Sequence, residues 1–316
     1  MLYKKRKKPL AMLGLQALLR RLPKNHQQYI RILEDFRKRD AGFSGEVNFD
    51  KHIKEFRPSY PYGLLHDVCL NHDGVFFQMD SLLITPASIV IFEIKNLGGK
   101  IVVKANPTQF IQENNGERKV IQSPITELDR KIIFLNRWLE DRGFNIPIRG
   151  LVGLAFTNEL FIEEQTSTPI VFTHEIPILL YGMALDGEKL GRREIGKIAN
   201  EMTRGHQEYN PFPMIRAMDI PKSDILTGVI CPNCNRRGME WLEKKWICIA
   251  CGLNAIDCHH QLINEWFYLI DDKMTNGNFR RFAGIKNRHI SKRILRKSGL
   301  RMKGNGKAAV YFRESP

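Results

Sequence analysis

Two apolar runs within Phe76–Asn96, separated by a proline-containing break, constrain the fold most strongly because they predict adjacent strands joined by a tight turn. Side chains alternate along a strand, so Gln78 and Asp80 share one face of the first strand. Glu93 and Lys95 share one face of the second strand. Charged groups inside such runs are costly to bury unless they are paired or bind a metal. We therefore expect Asp80 and Glu93 to converge where the two strands meet.

A carboxylate pair of this kind is typical of a site for a hard divalent cation, because Mg²⁺ prefers carboxylate and phosphate oxygens. Such an ion acidifies bound water and stabilises charge on a phosphodiester. Lys95 would orient the water or stabilise the developing negative charge. The pattern predicts Mg²⁺ held by Asp80 and Glu93, and it leaves open an ordinary ion pair between Glu93 and Lys95 on an exposed edge.

The segments QMDSLLIT and IVIFEIKN resemble the core of the nuclease-related domain (NERD) family, a branch of the PD-(D/E)XK nuclease-like superfamily. The family also carries a Gly-Glu pair in a helix before the sheet, which Gly45-Glu46 matches. The resemblance covers roughly residues 40–160. It implies an active-site set formed by Glu46, Asp80, Glu93 and Lys95, with Gln78 beside them.

The resemblance also implies the fold class, an α/β nuclease-like mixed sheet flanked by helices. The apolar spacing fits that order, with helix, three strands, helix and strand in sequence. The predicted details include a helix interrupted at Ala41-Gly42 and a strand at Ile178–Tyr181. One position departs from the family pattern, because Glu127 stands where the family usually has Gln at the start of the next helix.

Basic residues concentrate at the two ends of the 316-residue chain. Residues 1–24 contain eight Lys and Arg and no acid, and residues 273–313 contain thirteen and no acid. Such ends are typical of regions that bind a polyanion, and we predict that the partner is nucleic acid in the form of DNA, with a membrane surface as the alternative.

Composition and punctuation predict five segments. They are a basic N-terminal helical arm (1–40) with a helix docked on the main domain, a nuclease-related domain (41–209), a linker (210–225), a zinc ribbon (226–258) and a basic helix-turn-helix-like region (259–316). No run approaches the roughly 20 apolar residues of a spanning helix, and we expect a cytoplasmic protein.

Four of the six cysteines form two C-x-x-C pairs, which is typical of metal ligands in a reducing compartment rather than of disulfides. This spacing predicts a closed, structural zinc site. Its ligands would be Cys231, Cys234, Cys248 and Cys251. Cys258, His259 and His260 follow closely and are interpreted as helix-start residues, with a ligand role as the alternative.

The last predicted helix, residues 287–298, carries basic side chains in two stripes that each repeat every four residues. A shorter helix precedes it and a hairpin follows, which is the outline of a helix-turn-helix with a wing. The predicted nucleic-acid contacts are Arg288, Lys292, Arg293, Arg296 and Lys297. The alternative is an ordinary solvated basic face.

Together these features predict a Mg²⁺-dependent, nuclease-like enzyme that hydrolyses phosphodiester bonds and reaches DNA through its zinc ribbon and basic tail. The alternative is a nucleic-acid-binding protein that keeps the nuclease fold without turnover. A membrane-surface or protein-interaction factor using the basic N-terminus is the third possibility.

Overall fold

A computed structural model describes residues 1–105, 107–185 and 190–313, which fall into two compact units. The first unit comprises residues 1–8 and 38–208, and the second comprises residues 9–37 and the chain from Tyr209 onward. The predicted separate arm at residues 1–40 is therefore not what the structure shows, because its residues are divided between the two units. No helix in the described part of the chain is both long and apolar enough to span a bilayer.

Three elements form the N-terminal part of the chain: β1 (Leu2–Lys4), α1 (Leu10–Arg21) and α2 (Tyr29–His52). β1 pairs in parallel with the strand that contains Leu64, so the chain start belongs to the main sheet. α1 buries its apolar face within the second unit, which corrects the expectation that it docks on the main domain. α2 continues through Gly42, because one glycine costs only about 1 kcal/mol in a helix and packing outweighs this cost.

The rest of the first unit alternates strands with a few helices. In chain order these elements are β2 (Gly63–His72), β3 (Val75–Ile84), β4 (Ile89–Lys95), β5 (Lys100–Ala105), β6 (Thr108–Asn114), β7 (Glu117–Ile121), α3 (Pro124–Glu140), β8 (Ile148–Leu154), β9 (Glu159–Ile162), β10 (Ile170–Phe172), α4 (Ile176–Tyr181) and α5 (Arg192–Gly205). The strand predicted at Ile178–Tyr181 is wrong: this segment is helix α4, whose Ile176 and Leu180 lie one turn apart and are both buried.

The main sheet of the first unit has the order β1-β2-β3-β4-β8-β10. β2, β3 and β4 pair antiparallel, whereas β4, β8 and β10 run parallel, so the sheet is mixed. Leu82 and Ile91 face the core that contains side chains of α3 and α5. Leu83 and Val90 face the opposite core, which contains side chains of α2 and α4. A smaller sheet of order β7-β6-β5-β9 completes this unit, and the nuclease-like mixed α/β fold is confirmed.

The remaining elements belong to the second unit. They are α6 (Met214–Ala217), β11 (Glu240–Leu242), β12 (Lys245–Ile247), β13 (Asn254–Ala255), α7 (His259–Leu269), β14 (Lys273–Thr275), α8 (Asn276–Ala283), α9 (Arg288–Lys297), β15 (Arg301–Lys303) and β16 (Val310–Phe312). The segment predicted as a linker, 210–225, instead buries Met214, Ile220 and Ile225 in the core of this unit.

Helices α8 and α9 begin where side chains cap them. Thr275 Oγ1 accepts a 3.1 Å hydrogen bond from Asn278 N, and Asn287 Oδ1 accepts one of 2.8 Å from His289 N. Gly284 ends α8 with a φ of 75°, a left-handed conformation that glycine adopts without strain. β15 and β16 then form an antiparallel hairpin, with β14 on the other side of β16. The order of helices and hairpin agrees with the sequence pattern.

Candidate functional site

The candidate site lies where β3 and β4 carry acidic side chains on the same face of the main sheet. The strands pair antiparallel with Leu82 opposite Ile91, and continuing this register brings Asp80 opposite Glu93. Directly opposed residues of an antiparallel pair project to the same side, here toward α3. Asp80 Oδ2 accepts a 2.7 Å hydrogen bond from the backbone N–H of Ile94, which fixes this carboxylate against β4.

Two lysines neutralise the Glu93 carboxylate, which is only 2% exposed. Lys95 Nζ lies 2.9 Å from Glu93 Oε1, and Lys131 Nζ donates to Oε2. Burial alone would raise the pKa of Glu93, but the charges of Lys131 and Lys95 outweigh it and hold this pKa below its ordinary value. Glu93 is therefore an ionised acceptor with a cation on each oxygen.

Helix α3 supplies the other partners of this network. Ser123 Oγ caps the helix, and Glu127 and Lys131 lie one turn apart, so both side chains reach the same part of the sheet. Glu127 Oε2 accepts a 2.6 Å hydrogen bond from Lys95 Nζ. Burial works against the charge of Lys95, but Glu93 and Glu127 together raise its pKa above the ordinary value. We call Asp80, Glu93, Lys95, Glu127 and Lys131 the carboxylate site.

Asp80 behaves differently from Glu93, although the two are neighbours. Burial and, second, the negative charge of Glu93 raise the pKa of Asp80 to about 6, while Lys131 and the hydrogen bond from Ile94 act in the opposite direction. Two carboxylates that share a site repel each other when both are ionised, and a bound cation relieves that repulsion. Asp80 therefore accepts a proton or a cation more readily than an exposed aspartate does.

Gly45 allows α2 to approach the sheet beside this site. A Cβ on Gly45 would lie 2.9 Å from Asn96 Cβ and 3.1 Å from Ala155 Cβ, which is closer than such atoms normally come. The absence of a side chain at Gly45 therefore lets α2 bring Glu46 to the sheet. Burial and then the charge of Asp80 raise the pKa of Glu46 to about 8, although Arg6 opposes this shift.

Arg6 connects these acids from the N-terminal segment, and sequence reasoning missed it. Its guanidinium pairs with Glu46 and with Asp50, whose Oδ2 lies 2.9 Å from Nε. Nη2 also donates to the backbone oxygen of Asp80 at 2.9 Å and to Ser81 Oγ at 3.0 Å. The Arg6 side chain is only 4% exposed, so one buried cation serves several groups.

Gln78 has a different partner from the one that the sequence pattern implies. Its side chain is exposed, and its Nε2 donates a 2.7 Å hydrogen bond to Asp67 Oδ1. Asp67 in turn lies 3.7 Å from Lys4 Nζ. Gln78 thus lies two residues before Asp80 on β3, but its amide is directed to Asp67.

As a candidate Mg²⁺ site, the carboxylate site offers two carboxylates and not a cage. In the described part of the chain, only four cysteines bring three or more Cys, His, Asp or Glu ligand atoms within 4.8 Å of one another. Glu46, Asp80 and Glu93 therefore do not converge to that degree. Mg²⁺ commonly uses one or two carboxylates and completes its shell with water and phosphate oxygens. Asp80 and Glu93 are the residues that could supply the carboxylates.

The second candidate metal site is the cysteine cluster, formed by Cys231, Cys234, Cys248 and Cys251. The Sγ atoms of Cys231 and Cys251 lie 3.6 Å apart, as do those of Cys234 and Cys248. Four sulfurs around zinc at about 2.3 Å in a tetrahedron are about 3.8 Å apart, so the spacing fits zinc. The cluster can thus hold a structural metal such as zinc.

His259, which follows the cysteine cluster, has a structural partner. His259 Nδ1 accepts a 3.1 Å hydrogen bond from Trp246 Nε1, and His259 is buried. Burial, followed by the charge of His260, lowers the pKa of His259 to about 4. His259 thus starts α7 as the sequence indicates.

The basic residues predicted to contact nucleic acid are all exposed. Helix α9 turns Ile294 and Leu295 inward and leaves its charged side chains in solvent. These exposed side chains are Arg288, Lys292, Arg293, Arg296 and Lys297. No ion pair among the described residues joins them to a carboxylate, so this surface keeps its positive charge.

Comparison with known families gives one match. Residues 41–155 match the family described as NERD, nuclease-related domain. The matched range contains Glu46, Asp80, Glu93, Lys95 and Glu127, and it ends after β8. No curated protein and no solved structure matches the chain.

Proposed function

Because residues 41–155 belong to the nuclease-related domain family, we propose that this chain is a Mg²⁺-dependent enzyme that hydrolyses phosphodiester bonds in DNA. The observation that carries the proposal is the pair of acids on adjacent strands, with Asp80 and Glu93 on one face and Lys95 beside them. The raised pKa of Asp80 supports it, because a cation would relieve the repulsion between the two carboxylates.

Each residue of the carboxylate site has a role in this proposal. Asp80 and Glu93 would hold Mg²⁺, which when bound supplies Lewis-acid polarisation of the phosphodiester and acidifies water. Lys95 keeps its proton, so it acts as a hydrogen-bond donor to charge that develops on the phosphate. Glu127 orients Lys95 through the 2.6 Å hydrogen bond. Glu46, whose pKa is raised to about 8 by burial and then by Asp80, is an auxiliary carboxyl that holds its proton near neutral pH.

The second unit would deliver the enzyme to DNA. A zinc-filled cysteine cluster would hold β11, β12 and β13 together as a zinc ribbon. Helices α8 and α9 with the β15–β16 hairpin would form the helix-turn-helix and wing, and their exposed charges would contact phosphates. Reduced cysteines are needed for this metal site, so we propose a cytoplasmic protein.

One observation favours a second function, a nucleic-acid-binding protein that keeps the nuclease fold without turnover. Both oxygens of Glu93 already have lysine partners, and Glu127 replaces a Gln in the family pattern as a further partner of Lys95. An ion that binds Glu93 must displace or share these contacts. In this alternative, the lysines replace the metal and the site stabilises the fold.

A plasmid-cleavage assay separates the two functions. We expect the wild-type chain to cleave in Mg²⁺, and Asp80→Ala and Lys95→Ala to lose about 100-fold or more in rate, the scale of removing one electrostatic catalytic group. Asp129→Ala is the matched control, because Asp129 is an exposed acid on α3 outside the carboxylate site. Equal cleavage by all four proteins would indicate contamination and contradict the proposal. Wild-type DNA binding without cleavage would establish the alternative.

A further inference from the structure

A basic cleft of about 590 Å³ lies in the second unit between the starts of α8 and α9 and the β15–β16 hairpin. This volume is within the range of small-molecule sites, roughly 300–1,000 Å³, and it is large enough for a nucleotide. The cations that line it are Arg280, Arg281, Arg288 and Lys292. Of the basic residues that the sequence pattern assigns to nucleic acid, only Arg288 and Lys292 line this cleft.

The lining of the basic cleft is positively charged without compensation. It contains three arginines and one lysine, and residues 273–313 contain no acid. No ion pair of 4.0 Å or less joins these cations to a carboxylate within the described ranges. Several like charges around one space repel one another, and an anion that enters the space relieves this repulsion.

Arg280 provides an independent sign of a missing partner. Its Nε is buried and has no hydrogen-bond partner among the described residues. A buried donor without an acceptor typically costs about 1–3 kcal/mol, and an oxygen of an entering anion would remove that cost. Arg281 Nη2, by contrast, donates to Asn278 Oδ1 at 3.2 Å.

The backbone around the basic cleft also suits an anion. Helices α8 and α9 both begin at its wall, at Asn276 and Arg288, where the helix dipole contributes partial positive charge. Asn276 Nδ2 donates a 3.2 Å hydrogen bond to the backbone oxygen of Arg288, which links the two helix starts. Gly277 adds no side chain to the wall. Ala309 and Tyr311 also line the cleft, and both are buried.

We propose that the basic cleft binds the phosphate group of a nucleic-acid strand, with Arg280, Arg281, Arg288 and Lys292 as its ligands. This inference rests on the part of the proposed function that assigns the second unit to nucleic acid. It adds a bounded pocket with two ligands on α8, whereas Arg293, Arg296 and Lys297 lie outside the pocket. The phosphate is either a terminal monoester or an internal diester, and both offer the same oxygens.

Binding of short single strands to the full chain tests the pocket. One strand carries a 5′-phosphate and its twin a 5′-hydroxyl, and inorganic phosphate serves as competitor. The variants are Arg281→Gln and Lys292→Gln, both exposed in the free protein and thus safe for folding, with Arg280→Gln as a third. Lys273→Gln is the matched control, because it removes one exposed charge of the same region outside the basic cleft.

We expect each cleft variant to bind the strand about tenfold more weakly than Lys273→Gln does, the scale of one charge-assisted hydrogen bond. If only the phosphorylated strand is affected and inorganic phosphate competes for it, the ligand is a terminal phosphate. If both strands are affected equally, the ligand is an internal phosphate. Cleft variants that bind like Lys273→Gln would overturn the inference.

The same experiment separates this inference from the proposed function. Binding of both strands by the wild type, with unchanged affinity in the cleft variants, would contradict the pocket and leave the targeting role of the second unit intact. Failure of the wild type to bind either strand would contradict both the pocket and DNA targeting. If the plasmid assay shows no cleavage but the cleft variants still bind the strand more weakly than Lys273→Gln does, only the catalytic part of the proposed function is contradicted.

Discussion

The sequence predicts a metal at both the carboxylate site and the cysteine cluster, but the two groups of ligands are arranged differently in the structure. The four Sγ atoms of the cysteine cluster already lie within 4.8 Å of one another. At the carboxylate site, a lysine contacts each oxygen of Glu93, and Asp80 accepts a hydrogen bond from a backbone N–H. In the cysteine cluster, the sulfur atoms have the spacing that zinc requires even without the metal. In the carboxylate site, lysine side chains balance the negative charge.

This difference follows from the chemistry of the ligands. Neutral thiols can approach one another at van der Waals distance, so local backbone turns suffice to assemble a cluster that awaits zinc. Carboxylates in an apolar interior must be compensated at once, and lysines from β4 and α3 provide the charge. We therefore expect the metal to control folding of the second unit. In the first unit, we expect the metal to compete with the lysine side chains for the carboxylates.

The largest expected effect is the loss of zinc from the cysteine cluster. Cys248→Ser should reduce bound zinc from about one per chain to a small fraction and unfold the second unit, because structural zinc contributes roughly 10–16 kcal/mol in small domains. Metal analysis and tryptophan fluorescence report this, since Trp241, Trp246 and Trp266 lie in the second unit. Cys258→Ser, outside the cluster, is the control. Native fluorescence in a zinc-free Cys248→Ser protein would remove the distinction between the sites.

The next effect concerns Arg6, which has no counterpart at the cysteine cluster. Arg6→Ala leaves Glu46 and Asp50 without their buried cation, and we expect about 3–5 kcal/mol less stability for the first unit. Urea denaturation followed by far-ultraviolet circular dichroism measures this change. Lys7→Ala removes an exposed charge one residue away and should change stability by less than about 0.5 kcal/mol. Equal stability of the two variants would mean that Arg6 is not the shared counter-ion.

Removing Lys131 tests whether protein cations compete with metal. Lys131→Met removes a unit positive charge from beside Glu93, so Mg²⁺ should bind about thirtyfold more tightly. This corresponds to about 2 kcal/mol of binding free energy, the electrostatic repulsion expected at an effective dielectric constant near 20. Calorimetric titration with Mg²⁺ gives the affinity, and Lys119→Met, which removes an exposed lysine of β7, is the control. Unchanged or weaker Mg²⁺ binding would show that Lys131 supports the metal instead of replacing it.

The smallest effect is the pH dependence that Asp80 imposes. Because its pKa is raised to about 6 by burial and by Glu93, the folded chain binds more protons than the unfolded chain between roughly pH 4 and 6. Stability from this group is therefore lost as pH rises through that window, and Mg²⁺ affinity rises by up to about tenfold between roughly pH 5 and 7. Thermal unfolding with and without Mg²⁺ across this range measures both trends. The same trends in Asp80→Asn would assign them to another group.

The sequence was sufficient for the elements with strong periodicity and for local metal spacing. The alternation in β3 and β4 predicted that Asp80 and Glu93 share a face, and the C-x-x-C pairs predicted the cysteine cluster. Both depend on short-range geometry, which residue spacing determines directly. The family resemblance further implied that Glu46 belongs to the site. The close contact of α2 with Asn96 and Ala155 explains why position 45 is a glycine.

The long-range partners could not be predicted in the same way. Lys131 offered a weak signal, since it lies four residues after Glu127 and thus on the same face of α3. Arg6 offered none, because a basic run indicates solvent-exposed charge and only the tertiary fold brings β1 beside α2. The sequence places the arginines of α8 in a general basic region only. The cleft that they line could not be predicted, because it depends on where the hairpin of residues 301–312 packs. Burial and pairing of charges are properties of the assembled fold.

The most direct test of the account is the binding of Mn²⁺, a paramagnetic substitute for Mg²⁺, measured by electron paramagnetic resonance on zinc-loaded protein. The account predicts that wild-type protein and Cys258→Ser bind Mn²⁺ equally, and that Asp80→Asn loses this binding while it keeps its zinc. Mn²⁺ binding of equal strength in Asp80→Asn and wild type would contradict the assignment of a metal to Asp80 and Glu93.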